Sequence, residues 1–473
     1  MLRKSSTQIR RGLASGVDDH QLNGQWLDVT VAHGVVPAHD PGGPHGTLMH
    51  AVEHAVAQSP VSGAMEAFQA QDHLPLLDGM FIPPVAAVRV PEFVPQGVAL
   101  AELERTLQPL EHARCLPGAC FTSDEWYQRE MSTIFAQSWI LMGREDELPC
   151  AGSYITIRIP GVGPTVLVRG KDGVSRAFAN VCSHRGAQLL HDEVGQLRGG
   201  IVCPYHAWTF ALDGSLKGVP KGGHCTQHKK DLGLTSLPLA SFRGFLFVNA
   251  DPQPKQALEA ALGNLPALIL DQWPLEDMVT VRRATYDVPC NWKFLMENTS
   301  ETYHTSYVHG ASLGSMPSSP CKEVLGQEPL GDWDAVHIPY QRSVVPLPSA
   351  EAPFPEVAPS TYFVNLFPCL QVNVTKDCAW WMRLLPTSAA STRVTMGFLF
   401  PKATAAMPDF DAKLEHYLYR WDLAVREDNE ISVNQQEGVG SHFYRPGPYH
   451  ELEFATHKFD RWVVQRCLGG ASF

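Results

Sequence analysis

The sequence predicts an α+β protein in which a small antiparallel β domain precedes a larger α+β domain, behind a poorly ordered N-terminal extension. Short strand-like runs separated by turn residues fill the stretch from 154 to 248, which is typical of a small antiparallel domain. After residue 257, strands combine with long flanking helices, which indicates an α+β domain. Before residue 106, Gly and Pro interrupt the chain too often for long elements.

These observations divide the chain into three predicted segments. They are a low-order extension over 1–105, an N-terminal helix and small β domain over 106–255, and a larger domain over 256–473. A chain of 473 residues is too long for one hydrophobic core, which agrees with several domains. The extension begins with basic residues and contains scattered histidines. It is interpreted as a disordered tail, with a transit peptide or a metal-binding arm as alternatives.

Composition excludes several classes of protein. The net charge of −12 argues against a general binder of nucleic acid or of anionic membranes. The longest apolar runs are too short to span a bilayer. Eleven cysteines are scattered without regular spacing, which does not suit a disulfide framework. Free thiols persist in reducing compartments, so we expect a cytoplasmic protein.

The individual elements follow from periodicity and turn residues. Residues 122–136 open with capping residues and continue at helical spacing, and residues 409–436 carry apolar side chains near one helical face. Residues 291–309 are predicted to be helical, and residues 311–360 to form long loops. The predicted strands are 154–159, 165–169, 201–210, 245–248, 278–286, 362–366, 370–375, 379–385 and 392–400.

The first candidate metal site is a pair of Cys/His motifs, Cys182-Ser-His184 and Cys203-Pro-Tyr-His206. Two cysteines and two histidines could hold a structural zinc ion. Zinc fingers, however, usually pair Cys with Cys and His with His, whereas each motif here mixes the two. Such mixing favours a two-iron cluster in which one iron takes both thiolates and the other takes both imidazoles.

The second candidate site lies in the segment from Asn291 to His309. His304 and His309 are five residues apart, so they do not form the His-x-x-x-His zinc pair of metalloproteases. A widened turn or a helix end between them would bring both imidazoles to one metal. A carboxylate would then complete a two-His-one-carboxylate triad, which leaves positions open on Fe(II) for oxygen and substrate.

These motifs resemble those of the Rieske-type non-haem iron oxygenases. The resemblance rests on Val181–Gly186, Cys203–Trp208 and the Asn-Trp-Lys…Glu-Asn…Tyr-His…His pattern after Asn291, and it covers about residues 107–468. It implies a Rieske domain followed by a helix-grip-like catalytic domain of an aromatic-ring-hydroxylating α subunit. Cys182, His184, Cys203 and His206 would hold a [2Fe-2S] cluster. His304 and His309 would hold a mononuclear Fe(II).

The resemblance also assigns three further residues. Asp428 matches the third iron ligand; Glu427 and Glu430 compete for that role, but Asp428 shares a helical face with Trp421. Glu301 matches the carboxylate that bridges the cluster histidine of one subunit and the iron histidine of the next. Many members have Asp there, and Glu occurs in members that act on quaternary ammonium compounds. Asn298 matches a position near the iron.

The implied function is oxygen activation. Electrons from an NAD(P)H-dependent reductase or a ferredoxin would reach the iron through the cluster, and O2 would hydroxylate a small organic substrate. The substrate is predicted to be aromatic. The alternative is a monooxygenase that demethylates or hydroxylates a methylated amine or a quaternary ammonium compound. The C-terminus resembles that of members that work as homotrimers of α subunits. A Rieske electron carrier, or a binding protein that has lost the iron, is the alternative from another class.

Overall fold

A computed structural model describes residues 98–222, 229–310, 319–320, 327–339, 360–375 and 377–469. The predicted N-terminal extension lies almost entirely outside these residues, as do most of the loops predicted between 311 and 360. Among the described helices, none combines the length and the apolarity that crossing a bilayer requires. The mixture of helices and antiparallel sheets confirms the predicted α+β class.

The N-terminal half of the described chain holds eleven strands in three antiparallel sheets. The sheet orders are β1-β11-β10, β5-β2-β3-β4-β9 and β6-β7-β8. The strands are β1 (Trp139–Arg144), β2 (Ser153–Ile159), β3 (Gly163–Arg169), β4 (Ser175–Ala179), β5 (Val194–Gln196), β6 (Ile201–Val202), β7 (Thr209–Phe210), β8 (Leu216–Gly218), β9 (Ser236–Leu237), β10 (Leu239–Phe242) and β11 (Phe245–Asn249).

The C-terminal half of the described chain is built on one antiparallel sheet in the order β12-β18-β17-β16-β15-β14-β13. Its strands are β12 (Met278–Val288), β13 (Ser319–Pro320), β14 (Trp333–Pro339), β15 (Ser360–Leu366), β16 (Leu370–Val374), β17 (Ala379–Ser388) and β18 (Ser391–Pro401). Every residue of β16 is buried, so this strand is covered on both faces. Helices that pack on the sheet carry the second candidate metal site.

The described helices fall into an N-terminal group and a group associated with the large sheet. The first group is α1 (Leu100–Thr106), α2 (Ala119–Thr122) and α3 (Asp124–Glu130), and α3 continues as a π-helical turn over Met131–Phe135. The second group is α4 (Leu258–Leu262), α5 (Leu265–Leu268), α6 (Trp292–Thr299), α7 (Thr305–Val308), α8 (Lys402–Ala405), α9 (Phe410–Val439) and α10 (Phe454–Leu468).

A buried arginine ties the two halves together. Arg383 on β17 is 3% exposed, and its Nη1 donates to the carbonyl oxygens of Leu141 (3.0 Å) and Met142 (2.8 Å) on β1. Burial lowers the pKa of Arg383 to about 9. The guanidinium therefore holds the first sheet against the large sheet through backbone oxygens rather than through a carboxylate.

Most predicted elements are confirmed, and two differ. The predicted strand 201–210 is two short strands, β6 and β7, because the second Cys/His motif forms a loop between them. The predicted helix 291–309 is broken into α6 and α7. The elements that were not predicted include β13 and β14 inside the predicted loop region and the C-terminal helix α10. The helix α1 lies at the end of the segment that was assigned to the extension. The three segment boundaries themselves stay a prediction.

Candidate metal centres

The two Cys/His motifs form loops with the same backbone hydrogen bonds. In each loop the cysteine N–H donates to the carbonyl five residues on, and the N–H four residues on donates back to the cysteine carbonyl. The bonds are Cys182 N–H to Ala187 O (2.8 Å), Gly186 N–H to Cys182 O (3.0 Å), Cys203 N–H to Trp208 O (2.8 Å) and Ala207 N–H to Cys203 O (3.0 Å). Such twin loops can present their side chains to a shared group.

The same pattern requires left-handed backbone at the fourth residue after each cysteine. This residue is Gly186 in the first loop, with φ of 74°, and Ala207 in the second, with φ of 54°. Glycine adopts positive φ without penalty, whereas a residue with a Cβ is strained there. The second loop thus keeps the turn despite a local cost, which indicates that its shape is imposed by the surrounding structure.

The loops separate the ligand types by burial. Cys182 and Cys203 are each only 3% exposed, whereas His184 and His206 are exposed. The two imidazole rings lie 4.8 Å apart between centroids, and His184 stacks on Trp208 at 4.5 Å. Burial and the adjacent Cys203 thiol raise the pKa of Cys182, although backbone hydrogen bonds oppose the shift. Paired buried thiols beside paired exposed imidazoles suit a two-iron cluster with both thiolates on one iron and both imidazoles on the other.

The helix α6 begins at a buried polar anchor. The Asn291 side chain accepts from the Lys293 N–H at 3.1 Å, which is an N-cap, and the Asn291 backbone N–H donates to Gln436 Oε1 at 2.7 Å. The Lys293 ammonium forms a buried ion pair with Glu130 at 2.6 Å. Because Gln436 belongs to α9, Asn291 fixes the start of α6 relative to the long helix.

The end of α6 is fixed by amide side chains from the large sheet. Asn365 on β15 donates to the Thr299 carbonyl (3.3 Å) and to Ser300 Oγ (3.0 Å). Gln371 on β16 donates to the Leu295 carbonyl at 3.0 Å. These bonds satisfy carbonyls that a continuing helix would have used. The chain therefore leaves the helix at Ser300 and turns towards Glu301.

The break brings His304 and His309 to the same place as Asp428 from α9. One ligand atom from each of these three residues lies within 4.8 Å of the others. The Nε2 atoms of His309 and His304 lie 3.0 Å and 3.5 Å from Asp428 Oδ1. The His309 side chain is 3% exposed, whereas those of His304 and Asp428 are 16% and 22% exposed, so the site is open on one side.

The second nitrogen of each histidine is held by a carboxylate. His304 Nδ1 lies 2.5 Å from Glu301 Oε1, and His309 Nδ1 lies 2.7 Å from Glu427 Oε2. Each carboxylate accepts a hydrogen bond from the Nδ1–H group of its histidine. The lone pair on Nε2 is then directed at Asp428. Burial lowers the pKa of His309, but the neighbouring carboxylates of Asp428 and Glu427 outweigh this effect and raise the pKa.

This donor and acceptor balance fits a cation. Asp428 Oδ1 is buried and has no donor in hydrogen-bond geometry among the described residues. Two Nε2 lone pairs and one carboxylate oxygen thus face each other, and such acceptors repel unless a positive charge lies between them. Two imidazoles and one carboxylate are the facial ligand set of non-haem Fe(II). The residues present therefore fit a mononuclear iron.

The structure also distinguishes the competing acids on α9. Asp428 faces both histidines, Glu427 is engaged with His309 Nδ1, and Glu430 is exposed. Asn298 lies half-buried on the last turn of α6, three residues before Glu301. The choice of Asp428 as the third iron ligand stays a prediction.

An aromatic cluster lies along α9, on the same helix as Asp428. Trp421 stacks on Phe398 at 4.5 Å and contacts Trp380 at 5.3 Å, and Phe363 meets Trp380 edge-on at 5.8 Å. Trp421 precedes Asp428 by seven residues, or about 10 Å along a helix axis. These side chains belong to the hydrophobic core that packs α9 against the large sheet.

Comparisons with known proteins agree with this geometry. A model of the Rieske [2Fe-2S] domain matches residues 138–238, and a model of the ring hydroxylating α subunit catalytic domain matches residues 275–469. The carnitine monooxygenase oxygenase subunit of Escherichia coli K12 is 38% identical over 342 residues, which cover 71% of this chain and 87% of that protein. The chain belongs to the Rieske oxygenase family.

Other Rieske oxygenases show the same pattern. The glycine betaine monooxygenase oxygenase subunit of Pseudomonas aeruginosa is 27% identical over 400 residues, which cover 76% of this chain and 91% of that protein. A solved structure of the quaternary ammonium Rieske monooxygenase CntA has a TM-score of 0.65 at 26% identity, over 77% of this chain and 98% of that chain. Naphthalene 1,2-dioxygenase from Rhodococcus, at 21% identity and a TM-score of 0.63 over 79% of this chain and 98% of that chain, shares the fold.

Membership of this family confirms the predicted cofactors and class of reaction. The protein is the oxygenase component of a Rieske system, with a [2Fe-2S] cluster and a mononuclear non-haem iron. When bound, the iron supplies O2 activation, and the cluster supplies electrons. The pure electron carrier is excluded as an interpretation, because the chain carries the catalytic domain as well.

Sequence reasoning missed the residues that support these ligands. Glu427 was considered only as a competing ligand, yet it holds His309. Asn365 and Gln371, which end α6, gave no signal because they lie far along the chain in strands with the pattern of ordinary core. Lys293 belongs to the Asn-Trp-Lys motif, but its buried partner Glu130 could not be found from spacing.

Proposed function

We propose that this chain is the oxygenase subunit of a monooxygenase that hydroxylates a quaternary ammonium compound at a carbon next to the nitrogen. The observation that carries this substrate class is the 38% identity with a carnitine monooxygenase oxygenase subunit. The reaction places one atom of O2 in a C–H bond and releases the other as water, using two electrons and two protons. A separate NAD(P)H-dependent reductase, or a ferredoxin, supplies the electrons.

The proposal gives each site residue a role. Cys182, His184, Cys203 and His206 hold the cluster, and His304, His309 and Asp428 hold the iron. Glu301 accepts a hydrogen bond from the Nδ1–H group of His304. Through this bond Glu301 links His304 to the cluster histidine of a neighbouring subunit. Asn298 stands near this carboxylate at the end of α6. The geometry of the twin loops and of the three facing acceptors supports these roles.

The aromatic cluster supports a cationic substrate. A quaternary ammonium group cannot donate a hydrogen bond, and proteins commonly bind it on aromatic faces. We propose that the cluster of Trp380, Trp421 and Phe363, which packs between the large sheet and the helix that carries Asp428, offers such faces to the substrate. The aromatic substrate that was predicted from the sequence remains a prediction. An anthranilate 1,2-dioxygenase large subunit from Acinetobacter baylyi is 35% identical to this chain over a segment that covers 40% of it.

We also propose that the chain works as a cytoplasmic homotrimer with electron transfer between subunits. The cluster histidines are exposed, and so is Tyr205 at 56%. Tyr307 on α7 and Phe443 just after α9 are 82% and 86% exposed, which is unusual for large side chains without a partner surface. The CntA structure was described as giving insight into inter-subunit electron transfer. None of the nine described cysteines forms a disulfide, in agreement with a reducing compartment.

The first test is iron and acid-labile sulfide per chain on anaerobically purified protein. A cluster and a mononuclear iron together require three irons and two sulfides, and the His304→Ala variant is expected to lose one iron and no sulfide. Two irons in both proteins would contradict the mononuclear site. Sedimentation of the same samples measures the oligomer, and a monomer would contradict the inter-subunit path.

The second test is a substrate panel with a surrogate reductase. Carnitine, glycine betaine and choline are compared with benzoate and anthranilate as aromatic carboxylates, and with the neutral carbon analogue 3,3-dimethylbutan-1-ol as the control for choline. The expected result is oxygenated product from an ammonium compound, with 18O incorporated from 18O2. Product from an aromatic carboxylate alone would overturn the substrate class while leaving the oxygenase intact.

A further inference from the structure

Two carboxyl groups meet between α6 and α10, outside the metal-like sites. Glu297 lies on α6, and Asp460 lies on α10 with an exposure of 1%. The helices are packed together at this point, because Thr456 Oγ1 donates to the Glu297 carbonyl at 3.3 Å and Trp292 meets Phe459 edge-on at 5.5 Å. Close packing excludes the water that would otherwise solvate two ionised carboxylates.

One oxygen of each carboxyl lacks a donor from another described residue. Glu297 Oε1 and Asp460 Oδ1 are both buried and have no partner among the described N–H and O–H groups. Asp460 Oδ2 accepts from the Tyr449 hydroxyl at 2.6 Å. The two carboxyls lie within hydrogen-bonding reach of each other. An orphaned oxygen on each of two neighbouring carboxyls is explained if one carboxyl is protonated, because it then donates to the other.

The local charges do not favour ionisation of both groups. Lys293 is the cation that acts on both carboxyls, but its Nζ is bonded to Glu130 at 2.6 Å and to Asn291 Oδ1 at 2.9 Å. The single positive charge of Lys293 therefore cannot neutralise the carboxyl groups of Glu130, Glu297 and Asp460 together. Burial, followed by the charge of Asp460, raises the pKa of Glu297, and burial raises the pKa of Asp460 to about 7 although Tyr449 and Glu297 donate to it.

Further groups surround the pair from the neighbouring elements. Glu453, in the turn before α10, adds a negative charge that acts on both Glu297 and Asp460. Among the described residues, the phenols of Tyr444 and Tyr449 and the thiols of Cys115, Cys120 and Cys290 also interact with the pair. Burial raises the pKa of each of these five side chains, so they are neutral at pH 7 and leave Lys293 as the cation that opposes the acids.

We propose that Glu297 and Asp460 share one proton at neutral pH and that this proton holds α6 and α10 together as a pH-sensitive contact. Loss of the proton leaves two like charges in a packed interface, which favours separation of the helices. Glu297 lies in the last turn of α6, directly before the chain leaves the helix at Ser300, so separation would displace the segment that follows α6. The shared proton does not depend on the proposed substrate or on iron binding.

Infrared spectroscopy of the holoenzyme tests the shared proton. The carbonyl stretching band of a protonated, buried carboxylic acid is expected at neutral pH in the wild type, with a shift in D2O. It is expected to disappear in Glu297→Gln and to persist in Glu259→Gln, which removes an exposed carboxylate on α4. A band that is absent from the wild type, or that survives unchanged in Glu297→Gln, would overturn the proposal.

The pH at which this band titrates tests the surroundings of the pair. Removing a negative charge lowers the proton affinity of nearby carboxyls, so the midpoint is expected to move to lower pH in Glu453→Gln. Tyr449→Phe removes the donor to Asp460 and is expected to move the midpoint to higher pH. Unchanged midpoints in both variants would refute the assignment of the band to this pair. None of these measurements requires turnover, so they stand apart from the iron analysis.

Hydrogen exchange tests the contact between the helices. Amide protons of α6 and α10 are expected to exchange faster above the midpoint of the band in the wild type, beyond the ordinary increase of exchange with pH that other buried helices show. In Glu297→Gln only Asp460 can become ionised, so no pair of like charges forms. The additional increase in the amide exchange rate is therefore expected to vanish. An additional increase that is the same in the wild type and in Glu297→Gln would separate the proton from the helix contact and overturn the switch.

Discussion

Glu301 holds His304 at two points: its Oε1 lies 2.5 Å from Nδ1 of the ring, and its Oε2 accepts the backbone N–H of the same residue at 3.0 Å. The carboxylate thus fixes both the position and the tautomer of the histidine. A Glu in place of Asp reaches this geometry because the chain leaves α6 at Ser300 and turns back through Glu301. The longer side chain is accommodated by the backbone.

Glu301→Gln is expected to lower turnover by roughly 10–100-fold, the usual effect of removing a residue that supports a metal ligand. When Fe(II) is supplied in excess, iron content is expected to stay near the wild-type value, because His304, His309 and Asp428 remain. Rapid mixing of reduced protein with O2 and substrate would measure the loss as slower oxidation of the cluster. Glu301→Asp is the control, since it retains a carboxylate. Wild-type oxidation in Glu301→Gln would contradict the electron path.

Asp428→Asn and Glu427→Gln form a matched pair on α9. Asp428→Asn replaces the carboxylate oxygen that faces both histidines, so we expect loss of the mononuclear iron. Glu427→Gln only weakens the hold on His309 Nδ1, so iron is expected to bind roughly 10–100-fold less tightly. Iron per chain, titrated anaerobically, distinguishes the two. The reverse order of effects would make Glu427 the ligand.

Gly186→Ala and Ala207→Gly exchange residues at equivalent positions of the twin loops. A Cβ at Gly186 meets nothing within 4 Å, so the substitution costs only the strain of positive φ, about 1 kcal/mol. Ala207→Gly removes that strain, but its gain is smaller because glycine has more freedom in the unfolded chain. Thermal unfolding and retention of the cluster absorbance measure both. Equal and neutral effects would show that the loops are not strained.

Substitutions of Trp380 test whether the aromatic cluster binds the ammonium group of the proposed substrate. Trp380→Leu is expected to raise the KM for an ammonium substrate by roughly 2- to 30-fold, which corresponds to a cation–π contribution of about 0.5–2 kcal/mol. Trp380→Phe retains a ring and is expected to lie between Leu and the wild type. Steady-state kinetics with the best substrate of the panel provide the measurement. A KM that rises equally for a neutral analogue would assign the residue to packing alone.

The Glu297 carboxyl predicts a pH-dependent difference in stability. Its pKa is raised in the folded protein, so its favourable contribution is complete below the ordinary carboxyl pKa of about 4.3 and is lost as the pH rises towards the folded value. Glu297→Gln cannot titrate. The melting temperature of the variant relative to the wild type is therefore expected to rise from about pH 6 to about pH 9. A constant difference would mean that Glu297 is ionised throughout.

The sequence predicted those features that depend on the type and spacing of nearby residues. Alternating Cys and His predicted the cluster loops, and the period of α9 predicted the face that carries Asp428. The break after Thr299 could not be predicted, because Asn365 and Gln371 come from strands of the large sheet. The helix α10 was missed since Thr456, His457 and Asp460 are buried as deeply as its apolar residues, which hides the amphipathic period.

Helix α9 carries the proposed iron ligand Asp428 and the buried aromatic side chains of Tyr417 and Trp421. Its N-terminal half is tied to the sheet by the Tyr417 hydroxyl, which donates to Asp377, and its C-terminal half is tied to α6 through Gln436 and Asn291. A substitution that tilts α9 to admit a different substrate also moves Asp428. Under the proposed function, substrate range and iron affinity are therefore coupled through α9, and variants with altered specificity should be selected for both at once.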